Sequence, residues 1–187
     1  MPPELSFRCE RPVIDANVGV GHRHDRPSPF ADAPTLLSQM DRHGVGEALV
    51  YHVQGEQVSA LDGNDALHEW IAAGQGRLHA AWMASMGPES LQQLQQLHAD
   101  RQVRAVRLHD TMSLSTPLTS WIYGDLLEWL QQEGLPLWIS LADNDPVELA
   151  DTLADFRELR TVIVGAHYVH AQLVAPLLKH LPRSCLE

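Results

Sequence analysis

Val13-Ile14-Asp15-Ala16-Asn17-Val18-Gly19-Val20-Gly21 runs directly into His22-Arg23-His24-Asp25. The apolar run reads as a strand covered on both faces, as in a parallel sheet. Gly19 and Gly21 end it and let the backbone turn. The two-residue period of a strand places Asp15, Asn17 and Gly19 on one face. A parallel α/β barrel carries its chemistry at the C-terminal ends of its strands. The polar end of this strand is therefore the first candidate site.

Working outward, the same pattern recurs. A helix is predicted over Pro34–His43, capped by Asp32, striped with Leu36, Leu37 and Met40, and stopped by Gly44. A strand over Glu47–Val53 follows, with Tyr51 and His52 at its end as candidate pocket residues. Then come a polar loop over residues 54–63 and a helix capped by Asn64 that carries Leu67, Trp70 and Ile71. The third strand is Leu78–Met83, and Pro88 opens the next helix. Strand four is Val103–Asp110, with Ala105, Arg107 and His109 on one side and Val106 and Leu108 on the other. A helix over Pro117–Glu133 is expected to bury Trp121, Leu126, Leu127 and Leu130. Strand five, Leu135–Leu141, leads through Asp143 and Asn144 to a helix capped by Asp145 and opened by Pro146. Strand six is Thr161–His167 and the last helix is Ala171–Leu181. Residues 185–187 read as the start of a seventh strand.

Strictly alternating strands and helices imply a parallel sheet with right-handed crossovers. A closed eight-unit barrel takes about 250 residues, and this chain has 187. The expectation is an α/β fold with (β/α)8 TIM-barrel topology, incomplete at about six βα units plus the start of a seventh strand. It forms one domain over residues 12–187, after an N-terminal extension over 1–11.

A net charge of −11 and a pI near 5.3 speak against general binding to nucleic acid or to an anionic membrane. Two cysteines give no disulfide framework, and no leader-like segment opens the sequence, so a cytoplasmic protein is expected. The expected partner is a small-molecule substrate, with a homo-oligomer as a further possibility because strands at an open sheet edge invite association. There is no phosphate loop, no GxGxxG, no nucleophile elbow and no Cys-x-x-Cys.

Several short stretches, in order and spacing, resemble the amidohydrolase superfamily in its amidohydrolase-related (amidohydrolase 2) branch. They are Val13-Ile14-Asp15-Ala16, Leu36 through Val45, Gly63-Asn64-Asp65-Ala66-Leu67, Gly76-Arg77-Leu78, Val103 through His109, and Gly134 through Ile139. The resemblance runs from about residue 12 onward and implies a metal-dependent TIM barrel. Members of that branch hydrolyse C–O or C–N bonds, or decarboxylate small acids. Their metal is held by a His-x-His pair ending strand one, histidines ending strands five and six, and an aspartate ending strand eight. In this sequence the His-x-His positions are Asn17 and Gly19, the strand-five position is Ser140, and His167 matches at strand six.

The resemblance gives a hydrolase acting on a small organic acid, amide or lactone as the leading expectation. His167 is its metal ligand or general base, and His109 a second catalytic residue. Arg107 is read as a bidentate holder of a substrate carboxylate, or as the partner of Asp15 in an internal pair. Asn17, Ser140 and Asp110 line the substrate. His22 and His24 are candidate displaced ligands for one divalent ion, zinc or manganese, beside His167; the alternative is no metal at all. His170 reads as a cap or surface residue, and Trp82 and Trp138 as core. The alternatives in function are a metal-free barrel serving as a binding protein and a fragment of a longer enzyme.

Overall fold

The computed structural model describes residues 11–23 and 29–187. Among these, seven strands form one sheet in the order of the chain: β1 Val13–Val20, β2 Val45–His52, β3 Leu78–Ala84, β4 Ala105–Leu108, β5 Leu137–Ser140, β6 Thr161–Val164 and β7 Ser184–Leu186. Every neighbouring pair is parallel. The helices are α1 Ala33–His43, α2 Val53–Gln57, α3 Ala60–Ala73, α4 Pro88–Ala99, α5 Ser120–Gln132, α6 Pro146–Asp155 and α7 Ala171–His180. The sheet curls into an incomplete (β/α) barrel, as expected. Its open edges are β1 and β7, since residues 184–186 pair with β6 as a seventh strand.

Alternation decides which side of each strand is packed. On β2, Ala48, Val50 and His52 are buried while Leu49 and Tyr51 are half-buried. On β5, Leu137 and Ile139 are buried while Trp138 and Ser140 are half-buried. The buried set packs under the helices; the other set forms the concave face. Leu36, Leu37 and Met40 of α1 belong to the same continuous core as Leu67, Leu94, Leu127 and Leu149 of the later helices. Burying each such side chain stabilises the fold by about 1.5–3 kcal/mol. The cap signals hold: Asp32 accepts from Thr35 N at 2.9 Å, and Asp145 accepts from Val147 N at 2.8 Å.

Four local expectations are corrected. The stretch 54–63 is not a polar loop: α2 begins at Val53, and α3 begins at Ala60 with Ser59 as its cap. Asn64 is not a cap but lies inside α3, fully buried. Its side chain brackets β3, donating to Met83 O at 2.9 Å and accepting from Met83 N at 2.7 Å. Trp121 is exposed, and Tyr123 takes the buried position in the first turns of α5, which begins at Ser120 rather than Pro117. Strand one breaks strict alternation. Asp15 pairs with Ala48 and Val18 with Val50, so two residues, Ala16 and Asn17, stand opposite Leu49. Such a bulge re-aims the side chain it carries.

Candidate functional site

The C-terminal ends of β1, β2 and β4 bring Asn17, Tyr51 and Arg107 into contact. At the centre is Arg107 on β4, in register with Met83 of β3 and Trp138 of β5. The bulge on β1 turns Asn17 toward it, and Arg107 Nη1 donates to Asn17 Oδ1 at 3.0 Å. Nη2 donates to Glu56 Oε1 at 2.8 Å. The guanidinium carbon lies 4.1 Å from the centroid of the Tyr51 ring, a cation–π contact. Arg23 approaches the other Glu56 oxygen at 3.7 Å. Arg107 thus has an internal acid partner as one reading of the sequence held, but the acid is Glu56 and not Asp15. Its Nε is buried with no hydrogen-bond partner.

Glu56 reaches Arg107 because α2 sits very close to α3 and β3. A Cβ on Gly63 would stand 2.3 Å from the Gly55 backbone, and one on Gly55 would stand 2.6 Å from Met83 Cγ. Only glycine allows this crossing. The Glu56 carbonyl also accepts from Asp110 N at 3.0 Å, so α2 fastens the end of β4.

Two residues beyond Arg107, His109 is buried. Its Nε2 lies 2.5 Å from Tyr123 Oη and 3.4 Å from Thr116 Oγ1, while its Nδ1 is buried without a partner. Burial pushes the imidazole down to about 4, against a smaller upward pull from Asp110, so it is neutral at neutral pH. Burial also raises the Tyr123 hydroxyl, which bonds Thr116 Oγ1 at 3.0 Å. Asp110 accepts from Ser113 N at 2.8 Å and shapes the turn that leads to Thr116.

Ser140 stands at the end of β5, half-buried. A Cβ on Gly165 would lie 3.1 Å from its hydroxyl, and Gly165 has a φ of +68°. The Ser140 carbonyl accepts from Asn144 Nδ2, and Thr111 Oγ1 donates to the Asp143 carbonyl, which ties the loops after β4 and β5 together. Trp138 faces this concave side with its indole nitrogen unpartnered, whereas Trp82 lies in the core. His52 is buried and caps α2, accepting from Gln54 N at 3.3 Å.

The histidines expected as metal ligands are exposed or lie outside the described residues. His167 is exposed at the start of the 3-10 turn Tyr168–His170; its backbone N–H donates to His170 Nδ1 at 3.2 Å, so His170 serves as a local cap. His22 is exposed, and His24 lies outside the described residues. Among the described residues no group of three or more His, Cys, Asp or Glu side chains could hold a metal ion. Asn17, Gly19 and Ser140 supply a glycine and two neutral oxygens where imidazoles would be needed, which does not fit zinc.

Glu56, Tyr123 and Thr116 escaped the sequence reading. Signals were present: Ser59 with Asp62 three residues later marks a helix start at 60, and an inward Arg on a buried strand requires an acid partner. A cavity lies at the opposite end of the sheet, between α6 and α7, lined by Leu153, Phe156, Arg157, Leu181 and Arg183 among others. It is far from the strand ends that carry the polar groups above.

No protein-family model matches the chain, and no curated protein sequence matches it. Solved structures do. An uncharacterised TIM-barrel protein from Bordetella bronchiseptica superposes with a TM-score of 0.72 at 17% identity, over 94% of this chain and 74% of that one. The 4-oxalomesaconate hydratase of Rhodopseudomonas palustris superposes with a TM-score of 0.58 at 18% identity, over 82% of this chain. The match spans 57% of the hydratase. At these identities the likeness establishes the fold, a parallel (β/α) barrel with its strand ends gathered at one mouth.

Proposed function

We propose that the chain is a hydrolase of the amidohydrolase-2 kind, acting on a small organic acid or its amide or lactone at the mouth around Arg107. The observation that carries this reading is the pair of buried, unsatisfied groups at the end of one strand, Arg107 Nε and His109 Nδ1. Buried polar atoms without partners are uncommon in folded proteins and collect at functional sites. Arg107 and Asn17 orient the carboxylate, with Ser140 and Asp110 at the edges of the same mouth. His109, neutral at working pH, offers Nδ1 as a hydrogen-bond partner to the reacting carbonyl or as the acceptor of a proton. Tyr123 and Thr116 fix the ring through Nε2. One fold neighbour is named for the hydration of 4-oxalomesaconate, which agrees with an organic acid as ligand. The described donors do not fit a zinc or manganese ion.

The second reading is a barrel that binds an acid without turning it over. It is favoured by the replacement of the strand-one and strand-five imidazoles by Asn17, Gly19 and Ser140. One experiment separates the two: a panel of esters, lactones, amides and aromatic acids offered to wild type, His109→Gln and His167→Ala. The hydrolase reading expects turnover in wild type and in His167→Ala, and its loss in His109→Gln. Undiminished turnover in His109→Gln removes His109 from the chemistry. Loss confined to His167→Ala restores the metal-ligand reading of that residue. Acid binding without turnover in any protein selects the binding barrel.

A further inference from the structure

The guanidinium of Arg107 is held in an incomplete way. Guanidinium presents five donors in a fixed fork that matches a carboxylate with two parallel bonds. Here Asn17 takes one bond from Nη1, a single Glu56 oxygen takes one from Nη2, and the buried Nε–H meets nothing. The acid comes from α2, a five-residue helix, and not from the sheet. A second carboxyl group also reaches this corner. Burial pushes the carboxyl of Glu187, just past β7, upward, and nearby Asn17 and Arg107 pull it partly back. Glu56 thus reaches Arg107 from α2, while Glu187 lies near the same corner from beyond β7.

We propose that Glu56 is a built-in competitor for the Arg107 subsite, so that the carboxylate of an incoming ligand binds by displacing the Glu56 carboxylate. The inference rests on the acid-binding reading above and adds its regulation. The ligand class is a small monocarboxylate, or a larger acid presenting one carboxylate to the fork. The exchange is confined to the side chain: the Glu56 carbonyl stays bonded to Asp110 N and holds α2 in place while the carboxylate swings away.

The test is calorimetric titration of formate, acetate and benzoate into wild type and Glu56→Gln. Glutamine keeps the size and one oxygen but removes the charge that repels an incoming carboxylate, so binding is expected to tighten about tenfold or more. Added salt is expected to weaken that gain. Arg107-dependent binding in wild type, with equal or weaker binding in Glu56→Gln, overturns the competitor and leaves the acid site standing. No binding in either protein overturns both. Truncating one member of a buried pair destabilises the fold, so Glu56→Ala supplies a second readout. Its melting temperature is expected to rise with formate beyond the effect of chloride at equal ionic strength; an equal response to the two anions overturns the proposal.

Discussion

His109 makes its burial measurable through pH. Its imidazole titrates near 6.5 when exposed and is pushed down to about 4 in the fold. Between those values the unfolded chain binds a proton that the native one refuses. The stabilisation from keeping the ring neutral is therefore complete above about pH 6.5 and is lost as pH falls toward 4. The whole effect is on the order of 3 kcal/mol. Urea unfolding of wild type from pH 7 to pH 4 should show this loss, and His109→Gln should flatten it; equal slopes in the two proteins would show that the ring is not buried neutral. Asn64 is the other residue whose role is structural and strong. Asn64→Ala strips Met83 O and Gln93 of their side-chain donor and Met83 N of its acceptor inside the core, and is expected to cost roughly 2–4 kcal/mol. A change under about 0.5 kcal/mol would contradict the bracketing role.

At the scale of elements, two glycines offer a paired experiment. Gly63 meets the Gly55 backbone so closely that a Cβ must push α2 from α3 and carry Glu56 away from Arg107. Gly63→Ala is expected to lose about 1–3 kcal/mol. Gly124 lies within α5, and a Cβ there meets nothing within 4 Å. Gly124→Ala is expected to gain about 0.5–1 kcal/mol. Thermal unfolding of both variants reads the difference, and equal effects would refute the close-crossing account of α2. The helix and strand pattern was legible because it rests on periodicity and caps: Asp32, Pro88, Asp145 and Gly44 mark their boundaries without tertiary help. What escaped was long-range. The β1 bulge depends on the partner strand, α2 on a backbone contact between two glycines, and the Trp121–Tyr123 exchange on rotation of α5 against the sheet. Of the candidate site, Arg107, His109 and Ser140 were legible as residues at strand ends, whereas the contact of Asn17 with Arg107 depends on the β1 bulge. Glu56 was missed because the stretch that carries it has no apolar stripe, although an inward Arg107 called for an acid partner.

The whole molecule is a seven-stranded parallel sheet whose two edges, β1 and β7, have no partner strand among the described residues. Ile14 and Leu186 on those edges are exposed at 61% and 42%. Unpaired, apolar strand edges template association, so this chain is expected to self-associate in solution, and Ile14→Lys with Leu186→Lys to lower its sedimentation-average mass. Masses unchanged by the substitutions would place any contact elsewhere. The parallel order also gives the molecule two unlike ends. One end carries Asn17, Arg107 and the Glu56 of α2 in contact, while the other end holds the cavity between α6 and α7, lined in part by Arg157 and Arg183. Ligand is expected at the first end. Hydrogen–deuterium exchange with and without saturating benzoate tests this most directly. Protection is expected over residues 17–23, 51–58 and 107–116. Protection confined to residues 153–161 and 180–184 would contradict it and move the functional site to the opposite face.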